Sequence, residues 1–267
     1  KQDRQTLKFS DANSKLEKLY RVGELDKYLR SGRFTANVYS LDLLSGWSCP
    51  FAQDCHSKVV ELGQISKAGN PKVKVQDGKD TEFRCFSASQ EALLPNVYAK
   101  RKRNYELLKE CKTEEDMADL IERTLPRDAG IVRIHVGGDM FTIAYFRAWL
   151  EVARRNPDIL FYAYTKSLGY WVAELDNIPH NLILTASRGG RQDDLIDKHN
   201  LREAVVVFSE QEAADKGLEI DYDDSHAAIP ALANQSFALL LHGVQPRGTA
   251  ANEALQILKA AKKALAK

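Results

Sequence analysis

The sequence predicts an α/β fold of six parallel strands, each followed by helical segments, built as a partial β/α barrel of the TIM type or as an open doubly wound sheet, with peripheral helices. Three observations predict it. Apolar strand-like runs recur at residues 37–43, 131–136, 159–164, 181–186, 204–208 and 237–241. From residue 131 onward, segments of helical periodicity separate them, and parallel neighbours require such crossover connections. The 267 residues suffice for one large domain, so 1–267 is expected to fold as a single unit.

Residues 1–33 are charge-rich with weak helical periodicity and are expected to form a peripheral N-terminal arm. The first strand, 37–43, alternates apolar and polar residues and stops at Ser45-Gly46. Residues 47–92 show little periodicity, hold Cys49, Cys55 and Cys85, and include the turn-like Lys67-Ala68-Gly69-Asn70-Pro71. A loop of that length inside a compact domain is usually functional or disordered. Helices are expected at 95–111 and 113–125, the second opened by a capping pair of Thr113 and Asp116, with Asp in place of the usual Glu, and followed by Pro126. Further helices are expected at 142–155, 168–175, 193–199, 211–216 and 252–266.

Composition bounds the function. Hydrophobic residues make up 44% and charged residues 28%, and no apolar run approaches the roughly 20 residues of a membrane span. A net charge of +1 supplies no global field for nucleic acid, and the basic run Lys100-Arg101-Lys102-Arg103 is expected to be a solvated helix face. The first residues are polar, with no secretory signal, so a cytoplasmic location is expected. In that reducing compartment the four Cys are free thiols, catalytic groups or metal ligands rather than disulfides.

In parallel α/β folds ligands sit beyond the C-terminal strand ends. Those ends carry Cys49 and Cys55 after the first strand and Gly137-Gly138-Asp139 after the second, with His135 just before. Tyr164-Thr165-Lys166-Ser167 follows the third and Ser187-Arg188-Gly189-Gly190-Arg191 the fourth. Ser209 and Glu210 follow the fifth, His242 and Gly243 the sixth. Polar residues and glycines commonly end strands simply to let the chain turn. Lys166, Arg188 and Arg191 are less ordinary: three cations near one mouth await either an anionic ligand or pairing with Asp139, Glu210 or Asp193. His135, His242 and Lys166 are candidate acids or bases, although a lone His on a strand is more often a hydrogen-bonded core residue.

Thiolates are soft ligands that favour zinc or iron-sulfur clusters. The spacing of Cys49, Cys55 and Cys85 matches neither the paired knuckles of structural zinc nor the close runs of bacterial ferredoxins. Cys111, near a helix end, fits the alternative of a small buried hydrophobe. Asp54 and His56 flank Cys55, yet neither is an evident fourth ligand. Three thiolates suit a 4Fe-4S cluster with one iron open to an exogenous ligand.

The order of parts resembles the core of radical S-adenosylmethionine enzymes, in which a three-Cys cluster loop follows the first strand of a six-stranded partial β/α barrel. Their Gly-Gly-Glu motif after the second strand binds the cofactor's amino group. That resemblance implies the partial barrel, the cluster at Cys49, Cys55 and Cys85, and a ligand or S-adenosylmethionine site at Gly137, Gly138, Asp139, Lys166, Ser187 and Arg188. The chain departs from the pattern in its distant third Cys and in Asp139 replacing Glu. The Cys49-Pro50 loop, the stretch from Arg133 to Phe141 and Phe161-Tyr162-Ala163-Tyr164-Thr165-Lys166-Ser167 are also similar to the phage-encoded gene product 88 family. This implies a viral origin, a place in the host cytoplasm and an iron-sulfur protein. The expected function is a cluster whose open iron faces a polar mouth for a small anionic or amino-acid-like ligand. A radical S-adenosylmethionine enzyme and a non-enzymatic redox or host-interaction protein are the alternatives. Whether the chain is an enzyme is left open.

Overall fold

The computed structural model describes residues 5–30 and 35–265. Its strands are β1 (Ser10–Asp11), β2 (Asn37–Leu41), β3 (Ser57–Ile65), β4 (Pro71–Asp77), β5 (Ala129–Ile134), β6 (Leu160–Thr165), β7 (Leu182–Ser187), β8 (Glu203–Val207) and β9 (Phe237–Leu240). The first helices are α1 (Asp26–Leu29), α2 (Phe86–Leu93), α3 (Pro95–Glu110), α4 (Glu114–Thr124) and α5 (Ile143–Arg155). They are followed by α6 (Leu168–Ala173), α7 (Asp194–His199), α8 (Glu210–Asp215), α9 (Ser225–Ala228) and α10 (Ala250–Leu265). The last residue expected in the C-terminal helix, 266, lies outside the described residues.

The protein is a mixed α/β fold around a mostly parallel seven-stranded sheet in the order β1-β2-β5-β6-β7-β8-β9. The six expected strands form its parallel part, and β1 adds an antiparallel edge through Ser10 opposite Ser40. The sheet ends at β1 and β9, and closure into a barrel is not seen. Thr113 and Asp116 make the full capping box: the Thr113 hydroxyl accepts from Asp116 N at 3.0 Å and Asp116 Oδ2 accepts from Thr113 N at 3.1 Å. With the shorter acid the box still satisfies two donors, one accepted by each side chain.

Side chains alternate across the strands with the period of two that a pleated sheet imposes. Val132, Ile134, Phe161, Ala163, Leu184 and Ala186 face one side, packed with Phe146 and Trp149 of α5, Leu168 and Trp171 of α6 and Ile196 of α7. Ile131, Leu160, Tyr162, Ile183, Ala204 and Phe237 face the other. That second face is covered by Leu16, Leu19, Leu25 and Leu29 and by Ala227 and Ala228 of α9. The segment expected as a peripheral arm over residues 1–33, of which 1–4 and 31–33 lie outside the described residues, thus supplies four leucines to a buried core.

The expectation for residues 47–92 needs correction. Within them β3 and β4 pair as an antiparallel hairpin, Ser57 opposite Asp77, and α2 follows. The alternation of Pro71-Lys72-Val73-Lys74-Val75 is the strand signal, with Val73 and Val75 turned toward Leu44, Val59 and Tyr98. Among the described residues no helix is long and apolar enough to cross a membrane.

Candidate metal centre

The chain leaves β2 at Leu41 and turns at once. Leu43 N donates to Gly137 O at 2.8 Å, and Gly46 adopts φ +74°. A Cβ on Gly46 would lie 2.5 Å from Ser57 O, so only glycine fits where the outgoing chain crosses the start of β3. The loop carrying Cys49 and Cys55 then docks on the turn after β7. Gln53 N and Asp54 N donate to Gly189 O at 3.3 and 3.0 Å, Arg191 N donates to Phe51 O at 2.9 Å, and Ala52 bridges Gly190. Asp193 holds that turn by accepting from Gly189 N and Gly190 N at 2.8 and 2.9 Å.

Cys85 reaches the same place because the β3–β4 hairpin closes on its own base. Glu82 N and Phe83 N donate to Asp54 O at 2.8 and 3.0 Å, and Cys85 N donates to Ser57 Oγ at 3.2 Å. From the far edge of the sheet, the buried Gln245 Oε1 accepts from Arg84 N at 2.8 Å while its Nε2 donates to Arg84 O at 3.1 Å. His242, after β9, packs against Phe86 with ring centroids 4.6 Å apart and the rings tilted by 41°. Cys85 is thus pinned between the hairpin base and the turn after the last strand.

The three thiols are part-buried and lie within electrostatic reach of one another: Cys49 feels Cys85 and Cys55, and Cys85 feels Cys55. Burial pushes all three up, Cys85 to about 12, because a thiolate loses its hydration there. Local donors oppose this. Gly46 N donates to Cys49 Sγ at 3.4 Å, the backbone of Ser87 and Ala88 at the start of α2 favours ionised Cys85, and the Lys166 charge favours ionised Cys55. Such thiols ionise when a cation takes the place of the proton. Among the described residues no three His, Cys, Asp or Glu side chains stand close enough together to hold one metal ion. Cys111 is elsewhere, its thiol donating to Leu107 O at 3.5 Å beside the core.

The remaining expected site residues divide. Gly137 and Gly138 face no open space: a Cβ on Gly137 would lie 2.1 Å from Ser87 Oγ, and one on Gly138 2.6 Å from Ser48 Oγ. Buried Asp139 accepts from Thr165 Oγ1 at 2.6 Å, Met140 N at 2.7 Å and Lys166 N at 2.8 Å. Loss of hydration pushes its carboxyl up to about 6 against those donors. Lys166 Nζ donates to Ser187 O at 2.8 Å, Ser187 Oγ at 3.1 Å and Arg188 O at 2.7 Å, which accounts for all three of its protons. Arg188 turns away from the mouth, pairing with Glu203 through Nε and with Asp197 at 3.0 Å. The expected partners Asp139, Glu210 and Asp193 are not the ones it takes. Arg191 is exposed. His135, at φ +70°, is buried with Nε2 3.0 Å from Tyr145 OH, and loss of hydration pushes its pKa down to about 3, so it stays neutral.

Sequence reasoning missed a buried polar group behind the thiols. Arg101, read as part of a solvated basic run, is buried and pairs with buried Glu91 at 3.0 Å. Asn104, one helical turn on, donates to Asp42 O at 3.1 Å. Burial of positions 101, 104 and 108 along one helical stripe was the available signal, masked by the polar identity of two of them.

Fold and site together define a mixed α/β protein with two thiols in the loop after the first parallel strand and a third beyond the hairpin that follows it. Residues 6–263 match the family described as Gene product 88, and the chain belongs to that family. It is 31% identical over 131 residues to the Gene 88 protein of Mycobacterium phage L5, a match covering 49% of this chain and 48% of that protein, so it spans about half the length of the curated relative. No solved structure matches.

Proposed function

We propose that this chain is an iron-sulfur protein that holds a 4Fe-4S cluster through Cys49, Cys55 and Cys85, leaving one iron open for a small anionic or amino-acid-like ligand. The observation that carries the reading is the convergence of three thiols that the sequence separates, achieved by a hairpin whose base ties Cys85 N to Ser57 Oγ and the N–H groups of Glu82 and Phe83 to Asp54 O. Among the described residues no three such side chains stand close enough to hold one metal ion, which speaks against a single zinc. Zinc gathers its thiolates at about 2.3 Å around one ion, whereas each thiolate of a cluster holds its own iron. The chemistry fits as well, since the N–H group of Gly46, the backbone of Ser87 and Ala88 and the Lys166 ammonium offset thiolate charge in a part-buried site.

A bound cluster would supply Lewis acidity at its open iron or one-electron transfer. The chain's own residues hold the thiols in register, and Gly46 N keeps the Cys49 sulfur hydrogen-bonded. Asp139 spends its carboxylate on Thr165, Met140 and Lys166, which argues against its binding the amino group of S-adenosylmethionine and favours the open-iron protein over the radical enzyme. The neighbouring order of the six parallel strands, with α5, α6 and α7 all on one face, supports a partial barrel rather than a doubly wound sheet. Kinship with a phage protein supports a place in the host cytoplasm, where a reducing milieu keeps thiols free for metal.

Anaerobic isolation tests the proposal. Brown protein with about four irons per chain is expected, bleached by Cys85→Ala and unaffected by Cys111→Ala. Colourless protein that retains zinc would overturn it.

A further inference from the structure

Two segments carry the outer thiols, and one buried ion pair joins them. Glu91 Oε1 accepts from Ser45 N at 3.1 Å and Ser45 Oγ at 2.8 Å, just before Cys49 in the chain. The same oxygen accepts from Arg101 Nη1 at 3.0 Å. Arg101 Nη1 also donates to Ser87 Oγ at 2.6 Å and Ser87 O at 3.2 Å, just after Cys85. Gly137 lies directly against this junction: a Cβ there would come within 2.8 Å of the guanidinium carbon. Glu91 and Arg101 are 1% and 3% exposed, and Glu91 Oε2 and Arg101 Nε have no partner of their own among the described residues. A buried pair left partly unsatisfied is a poor way to gain stability. It is a good way to fix two loops relative to each other.

We propose that the Glu91–Arg101 pair is a positioning device for the thiol site, clamping the segments of Cys49 and Cys85 and setting the charge that a bound cluster experiences. This rests on the cluster reading above. The pair is neutral as a unit, and the Cys85 thiol feels the Glu91 carboxylate. Removing that carboxylate takes one negative charge from beside the site and leaves the guanidinium with Asp42 Oδ2 alone, at 4.0 Å. A reduced cluster carries one more negative charge than an oxidised one, so loss of a neighbouring negative charge favours the reduced form.

The test uses full-length protein isolated anaerobically, with the midpoint potential read by dithionite titration and iron loss read with a chelator. Glu91→Gln is expected to raise the potential and to release iron about 10-fold faster, as lost outer contacts do at metal sites. Glu91→Gln combined with Arg101→Gln restores a neutral pair, so its potential returns toward that of the unmodified protein while iron loss stays fast. Ser45→Ala loosens the clamp without changing charge; it is expected to speed iron loss at unchanged potential, and it carries the test should the Glu91 variants not fold. Folded variants with unmodified potential and iron retention overturn the proposal. A double variant whose potential moves further from the unmodified value does so too, since that is the mark of general damage. Unmodified protein that takes up no iron overturns the cluster reading instead.

Discussion

Arg133 Nη1 donates to Asp224 Oδ2 at 2.5 Å, joining residues 91 positions apart. Asp224 has a fully buried side chain and a left-handed φ of +64°, and it also takes Lys15 Nζ at 2.6 Å and Tyr162 OH at 2.9 Å. One carboxylate therefore fastens β5, β6, the N-terminal segment and the start of α9. Asp224→Asn leaves Arg133 without its carboxylate and Lys15 with Asp221 alone, at 3.5 Å, and a loss of about 3–5 kcal/mol in urea-unfolding free energy is expected. A loss below about 1 kcal/mol would mean that the network relaxes without it.

The same residue sets an acid limit. The Arg133 and Lys15 charges hold its carboxyl at about 2 in spite of burial, against about 3.9 in an unfolded chain. Because the folded value is the lower one, the stabilisation is complete above about pH 4 and disappears as pH falls through about 2. It amounts to about 2.6 kcal/mol at neutral pH. Melting temperatures recorded from pH 6 down to pH 2 should show the gap between the unmodified protein and Asp224→Asn narrowing with acid. A gap that widens contradicts the assignment.

Two glycines separate backbone strain from crowding. Gly138 has φ +95° and no room, its Cβ position lying 2.6 Å from Ser48 Oγ and 2.8 Å from Leu43 Cβ, whereas Gly217 has φ +65° with nothing within 4 Å. Gly217→Ala should cost only the conformational term of about 1–2 kcal/mol. Gly138→Ala should cost visibly more and loosen the loop of Cys49, read as faster alkylation of that thiol by iodoacetamide. Equal losses at both positions would show that Ser48 and Leu43 move aside freely.

The parts legible in sequence were those governed by local pattern. The runs around Ile131, Phe161, Ile183 and Val205 announce strands because buried parallel strands are apolar on both faces, and Thr113 with Asp116 announces a helix start from adjacent chemistry. What failed depended on partners distant in the chain. Arg188 finds Glu203 on the next strand and Asp197 on the intervening helix, so its place at the mouth did not leave it free for a ligand. Arg101 sits among exposed or half-buried basic neighbours and is buried by a glutamate on a different helix. The convergence of Cys85 with Cys55 required the β3–β4 hairpin, whose closing bonds to Asp54 and Ser57 leave no spacing signature.

Lys166 decides what kind of mouth the thiols face. Its ammonium stands where a ligand cation was expected, yet its three donors go to Ser187 O, Ser187 Oγ and Arg188 O and tie the end of β6 to the end of β7. The chain at Gly190 passes so close that a Cβ there would lie 3.1 Å from Lys166 Cβ, which seats the turn that carries the Cys49 loop. A structural tie of this kind predicts that Lys166→Met lowers the unfolding free energy by about 2 kcal/mol, the usual worth of hydrogen bonds from a charged group. Lys166→Arg should not restore it, because a planar guanidinium cannot reach three acceptors arranged around a single nitrogen. Arg191, exposed beside it, should be replaceable by Ala with no change in the urea midpoint. If Lys166→Met instead unfolds at the midpoint of the unmodified protein, the ammonium contributes nothing to the tie.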